Sequence, residues 1–402
     1  MRKTFPPERQ VIESLRAGVP SLGAVHALGS AQPDIEEAFA GLLGRVADGA
    51  PAGLVVGGGF GSGKSHLLRH LGLLAGTAGF VVSHVVVSKE TPLYDPAKVA
   101  WTALDGAVVP GGASGPAVEV LAAALDPDSP EFGRLMVSVS APSAGLDPRF
   151  AATLLLFARL KDTGEEFVES IVRFWAGEAL STPELRRQLR AVDEKFTFGR
   201  IAPKELARQR LRFIARLMTA AGHRGWIILF DEVELIARYS LVSRAKAYAE
   251  IGRWCAGTRP EPGVPIGTVF ALTDDFPAAV LAGKREAERI PARLRARQKP
   301  ELAELAEHAV AGMTVVAERM LLLTPPDDAE LDRAYERIKQ LHANAFDWLP
   351  PDVPGLERSA SNRMRQYVRA WINEWDLICL DSSYRPSSRT VELPATVVVT
   401  PD

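Results

Sequence analysis

The chain contains few cysteines, and the two that it has, Cys255 and Cys379, lie far apart without a CxxC or metal-ligand spacing. This scarcity excludes a disulfide framework and a cysteine-based structural metal site, and it suits a reducing cytosol. Long apolar runs are also lacking: none approaches the roughly 18 residues that a membrane-spanning helix needs, and Met1–Pro7 has no apolar signal core. From these absences we predict a soluble, cytoplasmic protein that does not contact membranes.

A large excess of either charge is absent as well, because 47 basic and 49 acidic residues leave a formal net charge of -2. Such a balance gives no global attraction to nucleic acid or to anionic membranes, so any contact with DNA must be local. Of the 402 residues, 47% are hydrophobic and 24% are charged, which is an ordinary globular composition. The length allows one large α/β domain and a smaller helical one.

Residues 58–65 match the phosphate-binding pattern G-x-x-x-x-G-K-[ST] at every fixed position. The apolar run Gly53–Val56 before them predicts a buried strand, and Ser65–Leu71 predicts a helix start, which is the context that a P-loop requires. Glycines let successive N–H groups and the helix N-terminus point at phosphates, while we expect Lys64 to neutralise phosphate charge and Ser65 to ligate Mg²⁺. The segment predicted to bind ATP comprises Gly58, Gly59, Phe60, Gly61, Ser62, Gly63, Lys64, Ser65 and His66, the last being a packing rather than a catalytic residue.

An acidic pair follows a second apolar run. Trp226–Phe230 is typical of a strand buried on both faces, and Asp231 and Glu232 come directly after it, which is a Walker B pattern. We predict that this strand neighbours the P-loop strand, that Asp231 holds Mg²⁺ through its water shell, and that Glu232 polarises the attacking water as a general base. A solvated acidic pair ending an edge strand is the alternative. For Glu234 a solvated turn residue is at least as good an interpretation as a functional one.

Polar residues also end the next predicted strand, Ile266–Leu272. Thr273 lies where the sensor 1 residue of AAA+ ATPases orients the lytic water or detects the γ-phosphate, although a plain turn explains it equally well. A further apolar run, Val315–Leu323, predicts a fifth strand. The predicted fold is α/β, with a P-loop AAA+-type parallel sheet sandwiched by helices, a helical insertion and a C-terminal helical lid.

Helical patterns surround this core. We predict N-terminal helices at 1–50 packing on the core, an ATPase core at 51–325 with a helical insertion at about 108–202, and a helical lid and tail at 326–402. The predicted elements outside the motifs are the strand Phe80–Val87 and the helices Pro6–Arg16, Pro33–Val46, Pro96–Leu104, Phe150–Leu160, Glu165–Trp175, Pro203–Ala221, Asp328–Ala343 and Asn362–Asp376. The basic residues of the helix at 203–221 are interpreted as a solvated face.

Two arginines are candidates for contacts with the γ-phosphate. Arg293 belongs to a basic stretch, and in AAA+ assemblies an arginine from this region reaches the neighbouring subunit's nucleotide. We favour Arg293 over Arg289 and Arg297, with a solvated helix face and a DNA-backbone patch as alternatives. Arg363, at the start of the last predicted helix, is the candidate for sensor 2, and a surface arginine is equally compatible with the sequence.

These motifs resemble the P-loop ATP-binding proteins of BREX phage-exclusion systems, the BrxD-like group of AAA+ ATPases related to origin-recognition proteins. The similarity rests on Arg9–Pro20, Gly59–Leu68, Ser88–Glu90, Leu229–Glu234, Tyr239–Ser240, Arg244–Tyr248 and Trp371–Leu377. It implies a bacterial defence ATPase that works with other BREX components on DNA. A nucleotide-dependent homo-oligomer, in which an arginine acts on a neighbouring subunit, stays open on the sequence. Origin-recognition relatives carry a winged-helix DNA reader, for which Ser382–Asp402 is too short, so we do not expect direct reading of a DNA sequence.

The function predicted on these grounds is the binding and hydrolysis of ATP-Mg to drive assembly or remodelling of partners in a BREX system. Two alternatives stay open. One is a slow nucleotide-dependent switch or scaffold, and the other is a P-loop kinase, which would need an acceptor site.

Overall fold

The computed structural model describes residues 7–19, 21–112, 115–163, 165–256, 263–359 and 363–386. The predicted helix starts at Pro6 and Asn362, and the tail beyond residue 386, lie outside these residues. The helices are α1 (Pro7–Ala17), α2 (Leu22–Leu28), α3 (Pro33–Ala47), α4 (Lys64–Thr77), α5 (Pro96–Asp105), α6 (Ala117–Ala124), α7 (Pro130–Ser140), α8 (Pro148–Leu160), α9 (Glu166–Ala176), α10 (Thr182–Ala191), α11 (Pro203–Ala220), α12 (Leu241–Cys255), α13 (Glu286–Arg295), α14 (Pro300–Glu318), α15 (Asp328–Phe346) and α16 (Met364–Leu380).

Many of these helices begin at a proline or behind a capping side chain. Asp147 accepts the backbone N–H of Arg149 at 3.0 Å, and Asp327 accepts that of Glu330 at 2.7 Å. Such caps satisfy amide groups that have no partner inside the helix, and a proline in the first turn loses no helical hydrogen bond. The sequence therefore sets most helix starts locally.

Six strands form one mixed sheet in the described part of the chain, in the order β3-β2-β4-β5-β1-β6. They are β1 (Ala52–Gly57), β2 (Val81–Val86), β3 (Ala107–Val108), β4 (Trp226–Asp231), β5 (Ile266–Leu272) and β6 (Met320–Leu322). All pairs are parallel except β2 with β3. A mostly parallel sheet flanked by helices confirms the α/β class predicted from the sequence.

Strand β4 lies inside the sheet, between β2 and β5. Its residues Trp226–Phe230 are all buried, and the Phe230 and Phe270 rings of β4 and β5 stack at 4.8 Å. The edge-strand alternative is therefore wrong. So is the expectation that this strand neighbours the P-loop strand, because β5 lies between β4 and β1. An apolar run reports burial, whereas the order of strands is set by the crossover connections between them.

The chain divides into two compact units. The larger contains residues 33–59 and 71–323, and holds the whole sheet, with α3 and α12 contacting β1 and α5 contacting β2. The smaller contains residues 1–32, 60–70 and 324–402. In it, α1 packs on α2, α15 and α16 around a core that includes Ile12, Ile338 and Trp375. The sequence grouped residues 1–50 together, whereas α1 and α2 pack with the C-terminal helices and α3 packs on the sheet.

Helices α6 to α10 occupy the region predicted as an insertion. Aromatic side chains fill their interior: the Phe150 and Phe213 rings stack at 4.8 Å, and Phe157 lies 5.0 Å from Trp175. Trp175 donates its indole N–H to Thr153 Oγ1 at 3.0 Å, which satisfies a polar group that burial would otherwise make costly. These aromatic residues, with Phe213 of α11, belong to the same apolar cluster as the core of the sheet unit.

Two predictions about local structure are wrong. The run Val315–Leu323 is not one strand, because α14 continues to Glu318 and only Met320–Leu322 forms β6. A short apolar run fits a buried helix as well as a strand. Helix α11 is not a solvated basic face either, since Arg210 and Arg216 are buried. Burial lowers the pKa of Arg210 to about 10, and its Nε donates to Phe174 O at 3.2 Å. Helix α11 contacts α5, α6 and α7, so several of its faces are covered.

Candidate nucleotide-binding site

Three parallel strands bring their carboxyl ends to one edge of the sheet. Gly57 at the end of β1 pairs with Leu272 at the end of β5, and Phe230 near the end of β4 pairs with Phe270. The Gly58 N–H donates to Leu272 O at 3.2 Å. In open α/β sheets ligands bind outside this edge. The glycine loop, Thr273 and the acidic pair all follow strands that end there.

Asp231 and Glu232 differ in conformation and exposure. Asp231 is half-buried, its Oδ1 accepts the Glu232 N–H at 2.9 Å, and its carbonyl accepts the N–H of Val87, directly after β2, at 3.0 Å. Glu232 is exposed and adopts the left-handed conformation, with φ 58° and ψ 32°. A 3₁₀ turn, Val233–Arg238, then returns Val233 and Ile236 to the core. The backbone therefore turns sharply after Asp231, and this turn leaves Glu232 in solvent.

We expect Glu232→Gly to stabilise the protein while removing the carboxylate predicted to act as a general base. The left-handed conformation costs an L-residue about 1–2 kcal/mol, and glycine gives back roughly 0.5–1 kcal/mol through backbone entropy. The free energy of unfolding should therefore rise by about 0.5–1 kcal/mol, measured by urea denaturation. Asp347, with φ 53° at the end of α15, supplies the control, because Asp347→Gly relieves a similar strain away from the candidate site. A glycine variant at 232 that hydrolyses ATP like the parent protein contradicts the role predicted for this carboxylate.

The P-loop has the backbone geometry of an anion cradle. Gly61 and Gly63 have φ of 79° and 109°, values that favour glycine. Helix α4 begins at Lys64, and Leu67 N–H donates to Gly63 O at 2.8 Å in the first turn. Amide groups ahead of Leu67 have no acceptor within the helix, so they and the helix N-terminus are suited to phosphate.

Ser62 provides an independent sign that this loop accommodates a ligand. Its Oγ is buried and has no hydrogen-bond partner among the residues that the structure describes. A buried hydroxyl without a partner is costly unless a ligand or water satisfies it. The oxygen ligands predicted for the metal, a serine hydroxyl and an aspartate carboxylate, are of the type that Mg²⁺ prefers. These residues therefore fit ATP-Mg.

In the smaller unit, the start of α16 lies against the P-loop. The Arg365 guanidinium lies 5.5 Å from the centre of the exposed Phe60 ring. A Cβ placed on Gly61 would lie 3.9 Å from the Arg365 side chain and 4.0 Å from that of Arg363. Arg365 is not among the residues predicted from the sequence, whereas Arg363 is. Two arginines that are two residues apart at the start of a helix cannot be distinguished by sequence as the one that reaches the P-loop.

His66 packs rather than faces a ligand. Its Nε2 lies 2.7 Å from the Gly29 carbonyl at the end of α2, so this nitrogen carries the proton and donates. Burial lowers the pKa of His66, which favours the neutral imidazole. This residue links the first turn of α4 to α2, a helix that the sequence analysis did not predict.

A family model described as BREX system ATP-binding protein BrxC/D matches residues 6–102 and 136–370. The chain belongs to this BrxC/D family. The matched residues cover most of the chain and include the P-loop, Asp231, Glu232 and Arg363, so the resemblance predicted from the motifs is confirmed. Comparisons with curated proteins and with solved structures gave no match. Within the described ranges, no helix combines the length and apolar character needed to cross a bilayer.

In this BrxC/D family member, the stretch Arg244–Tyr248 on which the resemblance partly rests has a structural role. Arg244 Nε lies 2.9 Å from the buried carboxylate of Glu286, and the Tyr248 hydroxyl donates to the same carboxylate at 2.8 Å. Burial and the nearby carboxylate raise the pKa of Tyr248, so it stays a donor. Arg244 also donates to Tyr239 O at 2.8 Å. The network ties α12 to the start of α13.

The remaining predicted residues lie at the surface or near it. Thr273 is half-buried, and its carbonyl accepts the Phe276 N–H at 3.2 Å in a turn after β5. Arg289 and Arg293 are exposed on α13, and Arg297 is exposed just after it. Within the described residues none of these three arginines lies within ion-pair distance of a carboxylate, whereas Arg295 pairs with Glu307.

Proposed function

We propose that this BrxC/D family member is an AAA+-type ATPase that hydrolyses ATP with Mg²⁺ and uses the cycle to assemble or remodel partners in a BREX system. The observation that carries the proposal is the common sheet edge at which β1, β5 and β4 end. At each of these strand ends lies one of the predicted elements: the P-loop, Thr273 or the acidic pair Asp231–Glu232. ATP binding itself follows from the family, whose members are ATP-binding proteins of BREX systems.

Each residue has a separate role in this proposal. Bound ATP-Mg supplies the phosphoanhydride and a cation that offsets charge on the γ-phosphate. Lys64 and the loop amides orient and neutralise the phosphates, and Ser65 and Asp231 hold the metal. Glu232 takes a proton from the attacking water, for which its exposed carboxylate at a sharp turn is suited. Thr273 orients that water from the end of β5.

Arginines complete the proposal. The proximity of the Arg363 and Arg365 side chains to Gly61 supports a role for the start of α16 in detecting nucleotide in the P-loop. Arg293 is exposed and has no carboxylate partner in the described ranges, as an arginine that acts on a neighbouring subunit would need to be. We therefore infer a homo-oligomer that forms with nucleotide. BREX membership suggests other components of the system as partners, and contact with DNA runs through them or through local basic surfaces.

A slow nucleotide-dependent switch is the second candidate. The observation that favours it is the position of Arg289, Arg293 and Arg297, all of which are exposed. If transition-state charge is neutralised only by a neighbour's arginine, an isolated subunit binds ATP and turns it over slowly, because such an arginine supplies about 10³–10⁵ in rate.

The experiment that separates these functions follows the label of γ-labelled ATP at low and high protein concentration. An ATPase releases the label as inorganic phosphate, with a rate per subunit that rises as oligomers form. A switch releases the label slowly, at a rate per subunit that stays the same at every protein concentration. Transfer of the label to a molecule other than water identifies a kinase and overturns the proposal.

A further inference from the structure

An irregular segment at residues 194–202 links α10 to α11 without forming a helix or strand. It begins at a sharp stop: Asp193 has φ 59°, and Glu194 N–H donates back to Leu189 O at 2.9 Å. This is the hydrogen bond with which a left-handed residue closes a helix, a position that glycine usually takes. The chain therefore leaves α10 in a defined direction.

Two aromatic rings project from this segment. Phe196 and Phe198 are two residues apart in the chain, and their rings are parallel within 4°, with centres 6.3 Å apart. Both side chains are partly buried: they pack against the core and keep some surface in solvent. Solvent therefore reaches an apolar aromatic surface on a loop.

The Phe198 end of the segment is held by polar contacts. Arg149 pairs with Asp147 at 2.9 Å, donates to Gly199 O at 3.1 Å, and lies 5.4 Å from the Phe198 ring centre. The Asp147 N–H in turn donates to Gln209 Oε1 in α11 at 2.6 Å. These contacts fix the ring against α8 and α11. A preorganised ring loses little conformational entropy when a ligand stacks on it.

Several basic residues lie beside the rings, in space or in sequence. The Arg186 guanidinium lies 5.9 Å from the Phe198 ring centre, and Arg190 lies one turn further on the same face of α10. Lys195 and Arg200 flank the two rings in sequence. All four side chains are exposed, and none lies within ion-pair distance of a carboxylate in the described part of the chain, unlike Arg187, which pairs with Glu184. This basic surface stands out on a chain with a net charge of -2.

We propose that this surface, Phe196 and Phe198 with Arg186, Arg190, Lys195 and Arg200, binds single-stranded nucleic acid. The rings offer faces on which unpaired bases stack, and the four cations contact backbone phosphates. Recognition is tolerant of sequence, because every base has a face that stacks. Duplex DNA is excluded as the preferred ligand, since its bases already stack on each other. The inference does not depend on hydrolysis of ATP, and it gives the helical insertion a function.

The test measures fluorescence anisotropy of labelled oligonucleotides with the full-length protein, without nucleotide. The probes are an oligothymidylate of about 15 nucleotides, an oligouridylate, a duplex and an abasic strand of the same length. We expect the abasic strand to bind about tenfold or more weakly than the oligothymidylate, because it has the charge but not the bases. The oligouridylate separates RNA from DNA as the source of the strand. An abasic strand or duplex that binds as tightly as the oligothymidylate overturns the proposal.

Variants assign the binding to this surface. The double substitution Phe196→Leu with Phe198→Leu keeps apolar cover over the core but removes the aromatic faces, and should weaken binding about tenfold or more. Thr197→Ala, between the rings, is the matched control and should leave affinity unchanged. Lys195→Gln with Arg200→Gln should reduce the slope of log affinity against log salt by about 1.4, since each lost phosphate contact removes roughly 0.7. Arg187→Gln is the control for charge. If the leucine variant binds like the parent while its unfolding is unchanged, the proposal is wrong, whatever the outcome of the ATPase assay.

Discussion

Lys64→Ala should abolish measurable ATP binding. The ammonium group of a P-loop lysine lies at the β- and γ-phosphates, and each charge-assisted contact stabilises a complex by about 1.5–3 kcal/mol. Loss of two such contacts weakens binding by at least about a hundredfold. Titration calorimetry with ATP-Mg measures the effect directly.

Lys98 provides the matched control for this experiment. It is an exposed lysine of α5, outside the P-loop, so Lys98→Ala removes the same charge from the protein without touching the candidate site. The affinity of the Lys98→Ala variant for ATP should stay within about twofold of the parent, since salt screens the effect of an exposed charge outside the site. An alanine variant at 64 that binds ATP as tightly as the Lys98 variant would show that these glycines do not cradle the triphosphate.

Glu232→Gln should retain ATP binding and lose turnover. The amide has nearly the same shape as the carboxylate but does not accept a proton, and general base catalysis contributes about 10²–10⁴ to a rate. We therefore expect a drop of that size in the release of phosphate, with the dissociation constant for ATP unchanged. Single-turnover assays with γ-labelled ATP distinguish a slow chemical step from slow product release.

Glu234→Gln is the control for the second acid of this segment. Glu234 lies in the 3₁₀ turn that follows, and its substitution should leave the rate of phosphate release within a few-fold of the parent. The reverse result, a slow Glu234 variant and an active Glu232 variant, would assign the general base to Glu234 instead of Glu232. Normal turnover in both variants would leave water activation to another group and contradict the proposed role of the acidic pair.

The strands at the centre of the sheet were largely predictable from sequence. The apolar runs around Val56, Val85, Leu229 and Phe270 correspond to β1, β2, β4 and β5, with ends within about two residues. Strands buried on both faces are apolar throughout, so each reads as a continuous run. The prediction of a strand at 315–323 is wrong because α14 is equally apolar where it packs on α12. Only neighbours in space distinguish a buried helix from a buried strand at that length.

Features that depend on tertiary structure could not be predicted in this way. No local pattern states that β5 separates β1 from β4, or that Glu232 adopts a left-handed conformation. The arginines of α11 look like a solvated face because the sequence does not reveal how many sides of a helix are covered. Arg365 escaped attention for a similar reason, since its contact with Phe60 joins segments about three hundred residues apart.

The buried carboxylate of Glu286 has a mechanical consequence. Separating it from Arg244 would leave an uncompensated charge in the interior, which costs about 3–5 kcal/mol, so α13 cannot swing away from α12 on its own. The other end of this link is Tyr239, directly after the turn that Glu232 begins. Arg289 and Arg293 lie on α13, so the buried contacts of Glu286 hold the backbone that carries both guanidinium groups in place against α12.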